Sequence, residues 1–217
     1  KESATWKNPN DLAILLTGGH YSKYEQAGIE HSSVSVAISE STRKEFEAWY
    51  NPPENWHCET VLYGVDHNVF RPMNHDHEEE QLAYEALRKS YDAADEAALH
   101  GSPDTKTPLL LAVGRLVARK GHRTLLRSMP RILEHHPGAR LVIVGRGHMR
   151  ATLLRQAKRL GVAHAVHIMP GMSFDALALH FRSADLVIYP SYYEGQGLIP
   201  LEALASGTPV VTVNQPP

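Results

Sequence analysis

The sequence has little of what would make a protein secreted, metal-bound or membrane-spanning. Its 217 residues include one cysteine, Cys58, so no internal disulfide can form. Cys58 has no companion at metal-ligand spacing and reads as a small half-buried residue in a reducing compartment. No apolar run is long: Leu109 to Val113 gives way at once to glycine and arginine, far short of the roughly 20 residues that cross a bilayer. No charged-then-apolar leader opens the chain, and a cytoplasmic location is expected. Aromatic residues make up only 7%. None falls between Arg115 and Arg159, which counts against stacking of single-stranded nucleic acid, and no nucleic-acid partner is expected.

What is present suffices for a core. Hydrophobic residues make up 42% and charged residues 21%, the balance of a globular chain of one large or two small domains. The net charge of −2 hides an asymmetry. Twelve Lys and Arg between Arg115 and Arg159 face only Glu134, whereas nine carboxylates between Asp76 and Asp104 face only Arg88 and Lys89. A basic block of that size calls for an anionic partner: nucleotide phosphates first, peripheral contact with an anionic inner membrane face second.

Short apolar runs at 12–16, 34–38, 60–63, 108–113, 140–144, 164–168, 185–189 and 209–213 alternate with helical patterns. Runs such as Leu141-Val142-Ile143-Val144 are apolar on both faces, as parallel strands covered by helices must be. The expected fold is therefore α/β with Rossmann-like parallel sheets. Ser39 or Ser41 can cap a helix through Phe46 to Tyr50, stopped by Asn51-Pro52-Pro53. Residues 75–99 form a strong helical pattern with an acidic first turn. The expected division is a partial N-terminal domain over 1–73, a helical connection over 74–106, and a second Rossmann-like domain over 107–217. His75-Asp76-His77-Glu78 has metal-binding composition, but adjacent ligands on an acidic helix start read as solvated, and no metal is expected. Gly145-Arg146-Gly147 follows a strand, but Arg150 occupies the third glycine position of a dinucleotide fingerprint.

The most informative stretch is Glu194-Gly195-Gln196-Gly197-Leu198-Ile199-Pro200-Leu201-Glu202, ahead of Gly207-Thr208-Pro209-Val210-Val211. Glycines let backbone N–H groups approach a ligand, and the first turn of the helix that follows offers unpaired donors to phosphate. If both glutamates lay on one helix, eight residues would separate them by about 12 Å on nearly one side. One could then hold a hexose and the other a ribose, with a diphosphate between. Arg115 and Lys120 follow the strand at 108–113 and precede a helix, which places both charges near the C-terminal edge of the sheet where α/β ligands bind.

Three ordered motifs carry a resemblance. Asp185-Leu186-Val187-Ile188-Tyr189-Pro190-Ser191 with the Glu-x7-Glu run, Leu111-Ala112-Val113-Gly114-Arg115-Leu116 with Lys120-Gly121, and Ile38-Ser39-Glu40 with Tyr63-Gly64-Val65-Asp66 and Phe70-Arg71-Pro72 resemble family 4 (group 1) retaining glycosyltransferases of the GT-B fold. The resemblance implies a metal-independent hexosyltransferase using a UDP- or GDP-sugar, with no cofactor beyond that donor, in carbohydrate biosynthesis. It implies that Arg115 and Lys120 stabilise the leaving diphosphate, that Glu194 contacts sugar hydroxyls, and that Glu202 holds the ribose. Gly195, Gln196, Gly197, Leu198 and Gly145 would border the donor, and His20 corresponds to the family's active-site histidine. The acceptor would be a carbohydrate, a lipid-linked group or a small molecule. Against that pattern both ends look cut, so missing segments or a partner chain are expected to complete the fold. A non-catalytic nucleotide-sugar-binding module is the alternative. A phosphorylase-like or epimerase-like member of the fold is a third, and the phosphorylase version would need pyridoxal phosphate on a lysine in a segment absent here.

Overall fold

The computed structural model describes residues 22–92 and 107–214. These fall into two compact units: residues up to Gly64 with Glu194–Gln196 form one, and Val65–Tyr193 with the residues from Gly197 onward form the other.

The first unit holds a two-stranded parallel sheet of β1 (Ser35–Ala37) and β2 (Cys58–Thr60), with Ser35 opposite Cys58. Between them runs α1 (Glu40–Trp49). Of the two candidate caps the helix uses Ser39, whose Oγ accepts from the Thr42 amide at 3.1 Å, and it stops at Tyr50 ahead of the two prolines. The strand expected at 60–63 lies earlier, at Cys58–Thr60; beyond it only the Val61 amide still reaches the Ala37 carbonyl, at 2.9 Å. Val36, Val61, Leu62 and Tyr63 are all more than half exposed, so apolar pattern alone did not mark where pairing ends.

The second unit is built on five parallel strands in the order β5-β4-β3-β6-β7: β3 (Leu109–Val113), β4 (Arg140–Val144), β5 (Val166–Met169), β6 (Leu186–Tyr189) and β7 (Val210–Thr212). Every residue of β3 and β4 is buried, as their two-sided apolar composition requires. Helices α3 (His122–His135) and α4 (Arg150–Arg159) cover one face. There Leu125, Leu126, Met129, Leu153 and Ala157 pack with Leu110, Ala112, Leu141 and Ile143. Helices α2 (Glu78–Asp92), α5 (Phe174–Ser183) and α6 (Leu198–Ala205) serve the other. There Phe70, Tyr91, Phe181 and Ala203 pack with Leu111, Val113, Val142 and Val187.

Helix α2 is anchored by charge as well as by packing. Arg88 donates to Asp185 Oδ2 at 2.7 Å and to the carbonyls of Ser183 and Thr107 at 2.9 and 2.7 Å, while Asp185 Oδ2 also accepts the Leu109 amide at 2.8 Å. That staple ties the starts of β3 and β6 together. The strand order creates a switch point between the same two strands. From β3 the chain winds outward through α3, β4, α4 and β5, and α5 then carries it back to β6 on the other side of β3. Loops leaving the C-terminal ends of β3 and β6 therefore part to opposite faces and open a crevice, the usual ligand position in such sheets. Among the described residues no helix is long and apolar enough to cross a membrane.

Candidate functional site

Both loops at the switch point are held by close backbone contacts. After β3, Gly114 turns with φ of 152° and donates to the Val144 carbonyl at 3.0 Å. The chain then makes a single 3-10 turn, Ala118–Lys120, closed by Gly121 in the left-handed region at φ 69°. A Cβ on Gly121 would lie 1.9 Å from the Pro190 carbonyl oxygen at the end of β6. No other residue type fits there, because both the backbone conformation and the space demand glycine. The loops are also joined by polar groups: the Tyr192 amide donates to the Arg119 carbonyl at 2.8 Å, and the Arg119 guanidinium to the Tyr193 carbonyl at 2.7 Å.

On this frame the expected basic pair takes two different environments. Arg115 is exposed, whereas Lys120 is 9% exposed, with its ammonium 3.3 Å from the Tyr189 hydroxyl and 5.3 Å from that ring's centroid. His122, next along, is 3% exposed, and neither ring nitrogen makes a well-formed hydrogen bond. Burial pushes its pKa down, partly offset by the nearby carbonyls of Arg115 and Gly114, so it stays neutral. Gly145, expected beside the nucleotide, has a packing reason of its own: a Cβ there would come within 2.0 Å of the Gly114 carbonyl oxygen.

The Glu-x7-Glu run does not form one helix. Helix α6 begins at Leu198, behind Gly197 at φ 78°, so Glu194 precedes it and the helical rotation between the two glutamates does not apply. Glu202 lies on α6, half-buried, with Oε2 shielded from solvent and without a hydrogen-bond partner. Its pKa is raised by desolvation, the mark of a carboxylate set in a place that water does not reach well. Glu194, Gly195 and Gln196 group with the first unit. There the Gln196 amide makes two bonds with the Tyr63 backbone, both at 2.7 Å. His20 lies outside the described residues.

Sequence reasoning passed over Tyr189 and His122. Each left a signal: a phenol ending an otherwise aliphatic strand, and a histidine directly after the Lys-Gly pair.

Residues 96–217 match the model of the glycosyl transferases group 1. The chain belongs to that family. An uncharacterized glycosyltransferase of Methanocaldococcus jannaschii is 36% identical over 179 residues, which is 81% of this chain and 41% of the relative. A GDP-mannose-dependent alpha-(1-6)-phosphatidylinositol monomannoside mannosyltransferase of Mycobacterium tuberculosis is 33% identical over 190 residues, 84% of this chain and 44% of the relative. The crystal structure of WaaG, a glycosyltransferase involved in lipopolysaccharide biosynthesis, superposes with a TM-score of 0.68 at 25% identity, over 93% of this chain and 50% of that one. The α/β architecture is accordingly part of a GT-B glycosyltransferase fold. The chain spans less than half the length of these curated relatives.

Proposed function

We propose that this glycosyltransferase chain binds a nucleoside diphosphate sugar at the switch-point crevice and transfers its hexose with retention of configuration and without a metal. The observation that carries the reading is the shielded, unpartnered Glu202 oxygen on the helix that follows β6, together with the buried Lys120 on the loop that follows the neighbouring strand β3. A buried carboxylate oxygen lacking a partner suits a ribose hydroxyl, which can donate to it. The first-turn amides of α6 suit phosphate oxygens. A leaving diphosphate gains negative charge as the glycosidic bond breaks, and Arg115 with Lys120 would stabilise it in place of a metal ion. Glu194 would take the sugar hydroxyls; Gly195, Gln196, Gly197, Leu198 and Gly145 would border the donor, and His20 would lie near the sugar. The departing phosphate would take the acceptor's proton on the same face, which yields retention without a second carboxylate.

The mycobacterial relative is named for GDP-mannose, so GDP-mannose and UDP-glucose are the first donors to test. We assign residues 107–217 to donor binding, residues 1–73 to the acceptor side and 74–106 to the connection between them, with Phe70, and Tyr91 of α2, packed into the core of the second unit, in a cytoplasmic enzyme of carbohydrate biosynthesis. Arg123, Arg127 and Arg131 recur every fourth residue on α3, and Arg155, Lys158 and Arg159 lie on neighbouring α4, all exposed. That row supports peripheral contact with anionic lipid, which would bring the enzyme to a lipid-linked acceptor.

Calorimetry with UDP and GDP beside donor hydrolysis tests the reading. Binding with turnover that Lys120→Ala and Glu194→Ala abolish, at unchanged melting temperature, supports it. Turnover insensitive to both variants refutes the site, and binding without turnover would favour a non-catalytic module. Co-sedimentation with phosphatidylglycerol vesicles, absent with phosphatidylcholine and lost at high salt, is the expected membrane result; equal recovery on both lipids refutes that contact.

A further inference from the structure

Tyr189 ends β6 at the crevice and is 5% exposed. The strand residues before it, Leu186, Val187 and Ile188, are aliphatic, and another apolar residue would satisfy packing at this position. A phenol brings a polar atom into a dry place, where it needs a partner. One partner here is Lys120: its ammonium donates to the Tyr189 oxygen at 3.3 Å, and the same ring's centroid lies 5.3 Å from the ammonium nitrogen.

The lysine reaches this phenol along a prepared track. A Cβ on Gly114 would sit 3.5 Å from Lys120 Cδ and 3.6 Å from Cε, so the stem lies over bare backbone at the end of β3. Its tip arrives at the end of β6, the neighbouring strand across the switch point. On its other side the tyrosine ring backs onto the start of α6, with Cε1 3.8 Å from where a Cβ on Gly197 would stand. One aromatic ring thus links the lysine, the sheet edge and the helix whose first turn faces the proposed phosphates.

We propose that Tyr189 is a positioning residue for glycosyl transfer, holding the Lys120 ammonium in the crevice before the donor arrives. This rests on the reading of Lys120 as a ligand of the donor diphosphate. Charge stabilisation accelerates a reaction most when the charge is already aimed and needs no reorganisation as the transition state forms. A free lysine side chain samples many rotamers and would have to be ordered at that moment. The phenol supplies an acceptor oxygen and a negative ring face, and both orient the ammonium without neutralising it as a carboxylate would.

The test uses the full chain with 15N-labelled lysine. A held ammonium exchanges slowly with water and gives an Nζ–H resonance, assigned by its loss in Lys120→Arg. The expected result is a resonance present in the wild type and broadened beyond detection in Tyr189→Phe, with the backbone amide spectrum otherwise unchanged. A resonance that persists unaltered in Tyr189→Phe, or is missing from the wild type, overturns the proposal. Tyr189→Leu, an aliphatic end to the strand like its predecessors, replaces the Phe variant if that one fails to fold. In hydrolysis of UDP-glucose or GDP-mannose, Tyr189→Phe should lower kcat by about tenfold, the effect of one hydrogen bond to a charged group, with donor KM within about twofold. Unchanged kcat in an active wild-type chain also overturns the proposal. If the wild type turns over no donor, the transfer reading fails by itself, and the lysine resonance still decides whether Tyr189 holds Lys120.

Discussion

Acidification should destabilise the second unit before its carboxylates titrate. His122 and His180 are 3% and 6% exposed, and burial is the first cause pushing both pKa values below the ordinary histidine range. His180 Nδ1–H donates to the Ala176 carbonyl at 2.7 Å, and Nε2 pairs with the Tyr91 hydroxyl at 2.9 Å, accepting from it while the ring is neutral. His167 shifts the same way, by burial and then by the Arg140 charge, but it is only half-buried and contributes less. Below an unfolded-state pKa of about 6.5 the unfolded chain binds protons that the native state refuses, so stability falls as pH falls through that value and is flat above it. Each fully neutral buried histidine contributes at most about 1.4 kcal/mol per pH unit, so His122 and His180 together set a slope approaching 3 kcal/mol per unit. Between pH 6.5 and 5.5 the unfolded histidines go from half to nearly fully protonated, so the two cost at most about 2 kcal/mol, and at about 2–4 °C per kcal/mol for a domain of this size the melting temperature should drop by up to roughly 4–8 °C. Glu202 works the other way, since its raised pKa means the native state gains a proton more readily, but only nearer the carboxylate range. The assay is calorimetric melting at half-unit pH steps from 8 to 5, with His180→Gln expected to flatten the acid limb. A melting temperature that stays level to pH 5.5, or that falls on the alkaline side instead, refutes the account.

Arg88→Ala should cost about 3 kcal/mol in denaturant unfolding, because it removes the charge partner of Asp185 and the donor to two carbonyls; that is the lower end for a broken buried pair, as Asp185 keeps 30% exposure and the Leu109 amide. Arg88→Lys should restore only part of this, since one ammonium cannot reach the three acceptors the guanidinium spans. Gly121→Ala should destabilise by more than about 3 kcal/mol, while Gly161→Ala, at φ 72° with nothing within 4 Å of the added Cβ, should cost only about 1–2 kcal/mol of backbone strain; equal losses would refute the clash with Pro190. Glu202→Gln should raise the melting temperature by a few degrees at neutral pH by removing a poorly solvated charge. It should also weaken nucleoside diphosphate binding about tenfold in calorimetry, if a ribose hydroxyl depends on that carboxylate; unchanged affinity would remove Glu202 from the site.

How far the fold could be read depended on whether burial or pairing drew each boundary. Leu109–Val113 and Arg140–Val144 declared themselves because both faces of a central parallel strand must be apolar, and even Arg140, 1% exposed, fits by turning its guanidinium onto the carbonyls of Gly138, Ala139 and Tyr91. In the first unit the apolar run at 60–63 misled by about two residues, because Val61 to Tyr63 are exposed and no burial gradient marks the end of β2. The site was legible in its charges and opaque in its geometry. Arg115, Lys120 and Glu202 could be proposed from the motifs that carry the family resemblance, but sequence could not say that Lys120 would be buried while Arg115 stayed exposed. Gly121 contributes to that difference, since its missing Cβ lets the turn close onto Pro190, and the lysine stem then lies in van der Waals reach of Gly114 at the end of β3. Reading a glycine only as permission for a ligand to approach therefore undercounts it. In this crevice glycines first let the protein approach itself, and the placement of the lysine follows from that.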